Sequence, residues 1–292
     1  MGSAGLAPSE SHLARVALGI TIRNLRKRRG LSQTELGLRV FLSQPEISRL
    51  ERAKHDDLKP ELIDVIADAL HALPEERDAL KFQYALIGLP PDSYRVIFAA
   101  SAVEKQRRIR AYESIAYNVL QFETAIFPGL LQVPDYMRGV MLAYGVPSEQ
   151  VEDTALEREA RQRILSKSDR KFHFVLSEVV LYTLVAGVEV QLEQLETLIT
   201  LMSRRNLSVG IIPVSRGTIP LAATSFTMYD GSFAAVETII SEQEITEPVD
   251  LRTLEKLHED LAGLALYGSQ AVAVVKKAIS SLEARLERNR YE

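Results

Sequence analysis

The sequence contains no cysteine, which excludes disulfide bonds, thiolate metal sites, iron–sulfur clusters and cysteine nucleophiles. Long apolar runs are also missing, since no stretch approaches the roughly 18 consecutive apolar residues of a membrane-spanning helix. The first thirty positions lack the charged start, apolar stretch and small-residue cleavage site of a secretory signal. We therefore expect a cytoplasmic protein with no membrane partner.

The motifs of several enzyme classes are missing as well. The histidines are scattered, without an HExxH motif or a paired spacing that would hold a metal ion: His12, His55, His71, His173 and His258. Esterase (GxSxG), nucleotide-hydrolase (P-loop) and dinucleotide-binding (GxGxxG) motifs do not occur. We expect no catalytic residues, no metal site and no cofactor.

The length of 292 residues, with 46% hydrophobic and 25% charged residues, predicts two domains with separate cores. Leu89, Pro90, Pro91 and Asp92 interrupt the helical pattern and indicate a linker. The predicted organisation is a flexible segment at 1–11, a first domain at 12–88, a linker at 89–100, a second domain at 101–287 and a tail at 288–292.

Charge is distributed unevenly along the chain, whose formal net charge is -4. Residues 11–54 hold ten Lys or Arg against three acids, whereas residues 55–88 hold three against eight. A basic face on an acidic body favours one docking orientation on nucleic acid, because phosphates repel the remainder. A solvated basic helix would carry the same charges, so charge alone leaves both interpretations open.

The first domain begins with residues that are typical of helix ends. Gly30 ends a basic first helix, and Ser32 with Glu35 forms the capping box of a short second helix. Ser43 with Glu46 repeats the capping box for a third helix. Two short helices bury little by themselves, so the first helix and later helices must supply the core, which predicts a five-helix cluster.

The run LRKRRGLSQTELGLRVFLSQPEISRLERAKHD closely resembles the lambda-repressor and Cro class of helix-turn-helix regulators, the Xre type, over about residues 16–72. The resemblance rests on an ordered set: Leu25, Arg26, Leu31, Ser32, Gln33, Glu35, Leu36, Ser43, Gln44, Ile47, Ser48, Leu50 and Glu51. It implies a five-helix lambda-repressor-like domain in a sequence-specific transcriptional regulator that binds a double-stranded DNA operator.

The start of the third helix, the recognition helix, is expected to enter the major groove, where Gln44 would make a bidentate contact to adenine. Arg49 would reach guanine O6 and N7, or a phosphate if the helix tilts away. Pro45 and Ser48 complete the predicted base contacts. The resemblance implies that Gln33 approaches the phosphates, joined by Ser32, Thr34, Ser43 and Lys54. It also implies a structural ion pair between Arg26 and Glu51.

Three positions depart from the family pattern. Phe41 stands where glycine is usual, and a bulky residue resists positive φ, so the sequence leaves open whether the turn geometry is altered. Gly37 stands where alanine is usual and weakens its helix by about 1 kcal/mol. Pro45 replaces a polar base reader, so we expect specificity to depend on Arg49 and on DNA shape.

The second domain has a mixed pattern that predicts an α+β domain with a small, mostly antiparallel sheet, in a chain that is mainly α. Helices are predicted over Ser101 to Gln121, ALEREARQRIL and QLEQLETLITLM. Strands are predicted at KFHFVLS, LSVGIIPV, SFTMYD and AAVETII, the last two paired around Asp230 and Gly231.

Residues 110–268 resemble the large uncharacterised C-terminal domain that accompanies Xre-type regulators in antibiotic-producing soil bacteria. The blocks that carry the resemblance are YESIAYNVLQFETAIFPGLLQVPDY, REARQ, VLSEVVL and NLSVGIIP. Some of those regulators are described as antitoxin-like, which implies a small partner protein by analogy. Ser177 and the segment Thr218, Ile219 and Pro220 depart from the family pattern.

Two residue groups in the second domain admit two interpretations each. Glu178, Arg158, Arg161 and Gln162 form either an ion-pair network, which we favour, or an acid–base site. Tyr112, Tyr117, Phe122, Phe127 and Tyr136 either pack in the core, which we favour, or line a pocket for an apolar effector. His173 is expected to be a packed histidine.

The leading hypothesis is a homodimeric transcriptional regulator, because a single short recognition helix contacts too few base pairs for a genome-scale search. The second domain would supply self-association and bind a small-molecule effector or a small partner protein. The alternative hypothesis is an antitoxin-like interaction protein whose main activity is to sequester such a partner.

Overall fold

The computed structural model describes residues 10–55, 58–87, 102–216, 224–237 and 242–291. The chain divides into two compact units, Met1–Ile115 and Ala116–Glu292. The predicted linker at 89–100 and the departure at 218–220 lie outside the described residues. No helix in the described ranges is long and apolar enough to cross a membrane.

The described part of the first unit is helical throughout. Its helices are α1 (Glu10–Arg28), α2 (Gln33–Val40), α3 (Gln44–Glu51), α4 (Pro60–Ala69), α5 (Pro74–Ile87) and α6 (Ala102–Ile115). The core formed by the first five helices contains twelve buried apolar residues: Leu18, Ile22, Leu25, Leu36, Val40, Ile47, Leu50, Ile63, Ile66, Ala67, Leu70 and Leu80. This core sets the positions of α2 and α3, which are too short to be stable alone.

Helix α6 differs from the sequence prediction in its extent and in the unit to which it belongs. It packs against α5 and α1 and belongs to the first unit, whereas its residues were placed in the second domain. The helix predicted over 101–121 ends at Ile115, and residues Asn118–Glu123 form a strand. Two neighbouring strands bind this segment on either side, and such long-range pairing overrides local helical periodicity.

The second unit is built on a six-stranded sheet in the order β3-β2-β1-β4-β5-β6. Its strands are β1 (Asn118–Glu123), β2 (Lys171–Ser177), β3 (Leu207–Ile212), β4 (Phe226–Tyr229), β5 (Phe233–Glu237) and β6 (Glu242–Ile245). The β1–β2 and β2–β3 pairs are parallel, and the other three pairs are antiparallel. The sheet is therefore larger than the predicted one and mixed in direction, because helical crossovers connect β1 to β2 and β2 to β3.

The second unit has five helices among its described residues. They are α7 (Pro134–Ala143), α8 (Ser148–Gln162), α9 (Val188–Leu201), α10 (Pro248–Leu264) and α11 (Gly268–Tyr291), with short 3₁₀ turns at Gly129–Leu131, Arg163–Ser166 and Glu178–Tyr182. Leu251 and Leu261 of α10 pack on one face, against Phe122 and Val175. Alternate strand residues such as Phe174 are buried on the opposite face. With 63% of the structure helical, the chain is mainly α.

Candidate nucleic-acid interface

Helices α2 and α3 both begin with capping boxes. The Ser32 hydroxyl accepts a 3.1 Å hydrogen bond from the Glu35 backbone N–H, and the Ser32 N–H donates to the Glu35 carboxylate at 2.7 Å. At α3 the Glu46 carboxylate accepts from the N–H (2.7 Å) and the hydroxyl (2.6 Å) of Ser43. These hydrogen bonds lower the pKa of Glu35 and of Glu46 below their ordinary values. The two carboxylates therefore stay ionised at the positive ends of their helices.

The turn between α2 and α3 centres on Phe41, whose backbone is left-handed with φ 59° and ψ 34°. The N–H groups of Phe41 and Leu42 both donate to the carbonyl of Gly37, the latter at 2.9 Å. The phenylalanine thus adopts positive φ despite its bulk. The question left open by the sequence is answered: the turn keeps its left-handed residue, because the N–H groups of Phe41 and Leu42 hold the backbone against the Gly37 carbonyl.

Gly37 makes a close approach that a larger residue would prevent. A Cβ atom added there would collide with the carbonyl oxygen of Leu42 and lie 3.5 Å from Cγ1 of Ile47. The turn therefore folds back onto α2 without space for a side chain at this position. The absence of a Cβ atom at Gly37 therefore allows α3 to lie this close to α2.

Arg26 of α1 and Glu51 at the end of α3 form a bidentate ion pair. The Nε–Oε1 distance is 2.5 Å and the Nη2–Oε2 distance is 2.9 Å, and both residues are buried. Nη1 of Arg26 also donates to the carbonyl of Leu31 at 2.7 Å. One guanidinium thus fastens α1 to the end of α3 and to the residue before the α2 cap.

A hydrogen-bonded chain leads from this ion pair to the surface. Nε2 of Gln33 donates to Oε2 of Glu51 at 2.8 Å, and Nε2 of Gln44 donates to Oε1 of Gln33 at 2.6 Å. Gln33 is half-buried, whereas Gln44 is exposed at the start of α3. The amide of Gln44 is therefore oriented from inside the unit, and its oxygen accepts no hydrogen bond from the described residues.

The other residues predicted to read bases differ in their exposure and in their hydrogen bonds. Pro45 and Arg49 are exposed, and the Arg49 guanidinium has no hydrogen bond within the described residues. Ser48 is half-buried, and Arg52 donates to its hydroxyl at 2.7 Å and to its carbonyl at 3.0 Å. Arg52 was not predicted as a site residue, although its spacing of four from Ser48 was the signal that would have identified it.

The residues predicted to bind phosphate lie at the ends of α2 and α3. Ser32, Thr34, Ser43 and Lys54 are exposed, and Gln33 is half-buried between Glu51 and Gln44. The hydroxyl of Ser43 already donates to Glu46. Lys54 supplies an exposed positive charge just after α3.

Several cations of the basic stretch serve the fold. Arg28 and Arg29 form ion pairs with Glu76 at 3.3 and 3.0 Å. Arg15 and Arg39 donate to backbone carbonyls of His55 and Ala69, at 2.6 and 3.1 Å. Among the cations of residues 11–54, Arg23, Lys27, Arg49 and Lys54 are exposed and their side chains form no hydrogen bond or ion pair with the described residues. The positive charge left exposed is therefore smaller than the residue count of this stretch indicates.

In the second unit the predicted polar group is divided. Arg158 donates to Oε1 of Gln132 at 2.5 Å, and Gln162 donates to the Gln132 carbonyl at 2.6 Å. Glu178 accepts a 2.7 Å hydrogen bond from the backbone of Val214. The contacts to Gln132 fasten the segment that follows β1, whereas Glu178 binds the segment that follows β3, so these hydrogen bonds assemble no acid–base pair with Glu178.

The predicted aromatic set packs in several places. Phe122 contacts Phe226 with ring centroids 6.1 Å apart, and Phe127 contacts Tyr136 at 5.4 Å. Tyr117 lies under the guanidinium of Arg170 at 5.0 Å. Tyr112 is buried on α6, in the first unit. The contacts made by Phe122 and Phe127 are those of a core.

A histidine pair lies between β2 and α10. Nε2 of His173 is 2.8 Å from the Tyr267 hydroxyl, and the rings of His173 and His258 meet edge-on at 4.8 Å. Burial, with a smaller effect from His173, lowers the pKa of His258 to about 4. Burial also lowers the pKa of His173. Within the described ranges, no three His, Asp or Glu residues are grouped to hold a metal ion.

Comparison with known proteins divides the chain in a similar way. A family model described as a domain of unknown function, DUF5753, matches residues 106–277, more than half of the chain. A model described as a helix-turn-helix domain matches residues 17–80, which include α2, the turn and α3. No curated protein and no solved structure matches the chain.

Proposed function

Because this chain belongs to the DUF5753 family and has a helix-turn-helix domain ahead of the matched region, we propose that it is a sequence-specific DNA-binding regulator of transcription. Helix α3 would lie in the major groove, with Gln44 and Arg49 reading bases. The observation that carries the proposal is the chain of hydrogen bonds from the buried Arg26–Glu51 pair through Gln33 to Gln44.

That chain matters because a base contact needs a side chain already held in its binding geometry. With one N–H donated to Gln33, the Gln44 amide keeps a second N–H and its oxygen for the N7 and N6 groups of adenine. Arg49 is one and a half turns further along and has a free guanidinium for guanine or phosphate. We assign Pro45 and Ser48 to lesser roles, since Pro45 has no donor and Ser48 is bound by Arg52.

We propose that Ser32, Gln33, Thr34, Ser43 and Lys54 contact phosphates and position the helix without reading sequence. The residues of α2 and α3 that match the Xre pattern, in the same order along the sequence, support assignment to the Xre type of regulator. We further propose a cytoplasmic homodimer whose second unit binds an effector or a small partner protein, with no catalytic step in either unit.

The test begins with selection of a binding sequence from random double-stranded DNA by the full chain. Gln44→Ala and Arg49→Ala should each weaken binding to the selected site at least tenfold while their circular dichroism spectra remain those of the wild type. Matched controls are Gln270→Ala and Arg252→Ala, both exposed in the second unit, which should bind as the wild type does. Unchanged affinity in both α3 variants would contradict the proposed function.

A further inference from the structure

Phe41 combines a left-handed backbone, held by hydrogen bonds to the Gly37 carbonyl, with a side chain that lies in solvent. Bulky L-residues rarely adopt the left-handed backbone that Phe41 has, because their side chains crowd the backbone there. The residue is 92% exposed, so contacts of its side chain with the described residues offset little of that strain. Strain of this kind is concentrated at functional sites.

Phe41 lies close to the start of α3, the helix proposed to bind DNA. It lies three residues before Gln44, so their Cα atoms are at most about 11 Å apart. Hydrogen bonds to the Gly37 carbonyl hold the backbone of Phe41 and Leu42, so the ring projects from a fixed support. An aromatic ring beside the first turn of a groove-binding helix is placed to meet the apolar groups of DNA, of which the thymine methyl is the one in the major groove.

We propose that Phe41 contacts a thymine methyl group at the edge of the site read by Gln44 and Arg49, and is a further specificity-determining residue. This inference rests on the proposed function. It accounts for a strained phenylalanine at a position where glycine would be less strained, since glycine would remove the contact. Phe41 lies three residues before Gln44, at the start of the proposed groove-binding helix, so we commit to DNA as the occupant and treat a protein contact as an outcome of the test.

The first experiment compares stability with affinity in Phe41→Gly, using the sequence selected by the wild type. Glycine relieves the backbone strain, so the urea midpoint should rise, while affinity for the selected site should fall about tenfold. Weaker binding by a more stable variant cannot result from unfolding. The matched control is Leu38→Ala, which removes an exposed leucine (74%) from the regular part of α2 and should leave affinity unchanged.

The second experiment replaces each thymine of the site in turn by deoxyuridine, which lacks the methyl group. One replacement should weaken wild-type binding several-fold and have no effect on Phe41→Gly. Equal affinity of Phe41→Gly and wild type, or equal effects of deoxyuridine on both, would overturn the inference. Normal DNA binding by Phe41→Gly with loss of regulation in cells would also overturn it, in favour of a protein contact.

Failure of the proposed function has a different signature. If the wild type selects no sequence, both conclusions fall. If Gln44→Ala loses binding and Phe41→Gly does not, only the role of Phe41 falls.

Discussion

At Gly37, helix propensity and steric packing predict opposite effects of substitution on stability. Helix propensity alone predicts that Gly37→Ala would stabilise α2 by about 1 kcal/mol. The added methyl group would instead meet the Leu42 carbonyl, which belongs to the backbone and cannot move aside. We expect a net loss of about 1–3 kcal/mol in the free energy of unfolding, measured by urea titration.

Gly263 supplies the control for this substitution. It lies near the end of α10, and a Cβ added there has no neighbour within 4 Å. Gly263→Ala should therefore be neutral or stabilising by up to about 1 kcal/mol. A Gly37→Ala protein at least as stable as the wild type would contradict the close approach described for the turn.

His258 makes stability depend on pH. Its pKa is about 4 in the folded chain, below the ordinary 6.5, so the unfolded chain binds more protons between these values. Burial of the neutral imidazole therefore lowers stability in acid: the free energy of unfolding is highest above pH 6.5 and falls as the pH falls toward 4. His258→Phe should remove this contribution and reduce the dependence of the urea midpoint on pH over that interval. An unchanged dependence in the variant would contradict the assignment.

At the scale of elements, the Arg26–Glu51 pair connects stability to recognition. Arg26→Ala would leave a buried carboxylate without its cation, which costs about 3–5 kcal/mol. The double variant Arg26→Met with Glu51→Leu should recover most of that loss, because apolar residues of similar volume replace a buried pair well.

The double variant also tests what the pair does for α3. Gln33 would lose the carboxylate that holds its amide, so Gln44 would lose its support. We expect weaker operator binding from a protein of near-normal stability, measured by fluorescence anisotropy and urea titration. If the double variant bound DNA with wild-type affinity, the ion pair would have no role in recognition.

The elements differ in how far the sequence could predict them. Ser32 and Ser43 marked the starts of α2 and α3 because capping boxes are local in sequence. Strand β1 was missed because its pairing partners begin at Lys171 and Phe226, far along the chain. The left-handed Phe41 could not be predicted either, since residue preference opposes it and only the hydrogen bonds to Gly37 hold it.

At the scale of the whole molecule, the basic stretch gives less free charge than its composition indicates. Arg28 and Arg29 neutralise Glu76, and Arg26 neutralises Glu51. These pairings depend on tertiary contacts between helices and could not be read from residue counts. Affinity should therefore depend on the few exposed cations and on pairing of two copies of α3.

We accordingly expect the full chain of 32.6 kDa to sediment as a dimer. On its selected sequence, hydroxyl-radical footprinting should reveal two protected segments about 34 Å apart, one helical turn of DNA. A monomer that protects a single segment would contradict the dimer and would require specificity to come from one copy of α3.

In the proposed complex Gln44, held by Gln33, reads an adenine in the major groove. The most direct measurement replaces each adenine of the selected site by 7-deazaadenine, which lacks the N7 acceptor, and compares wild type with Gln44→Ala. One replacement should weaken wild-type binding about tenfold and leave Gln44→Ala unaffected. Equal losses in both proteins at every adenine, or no loss in either, would contradict the account.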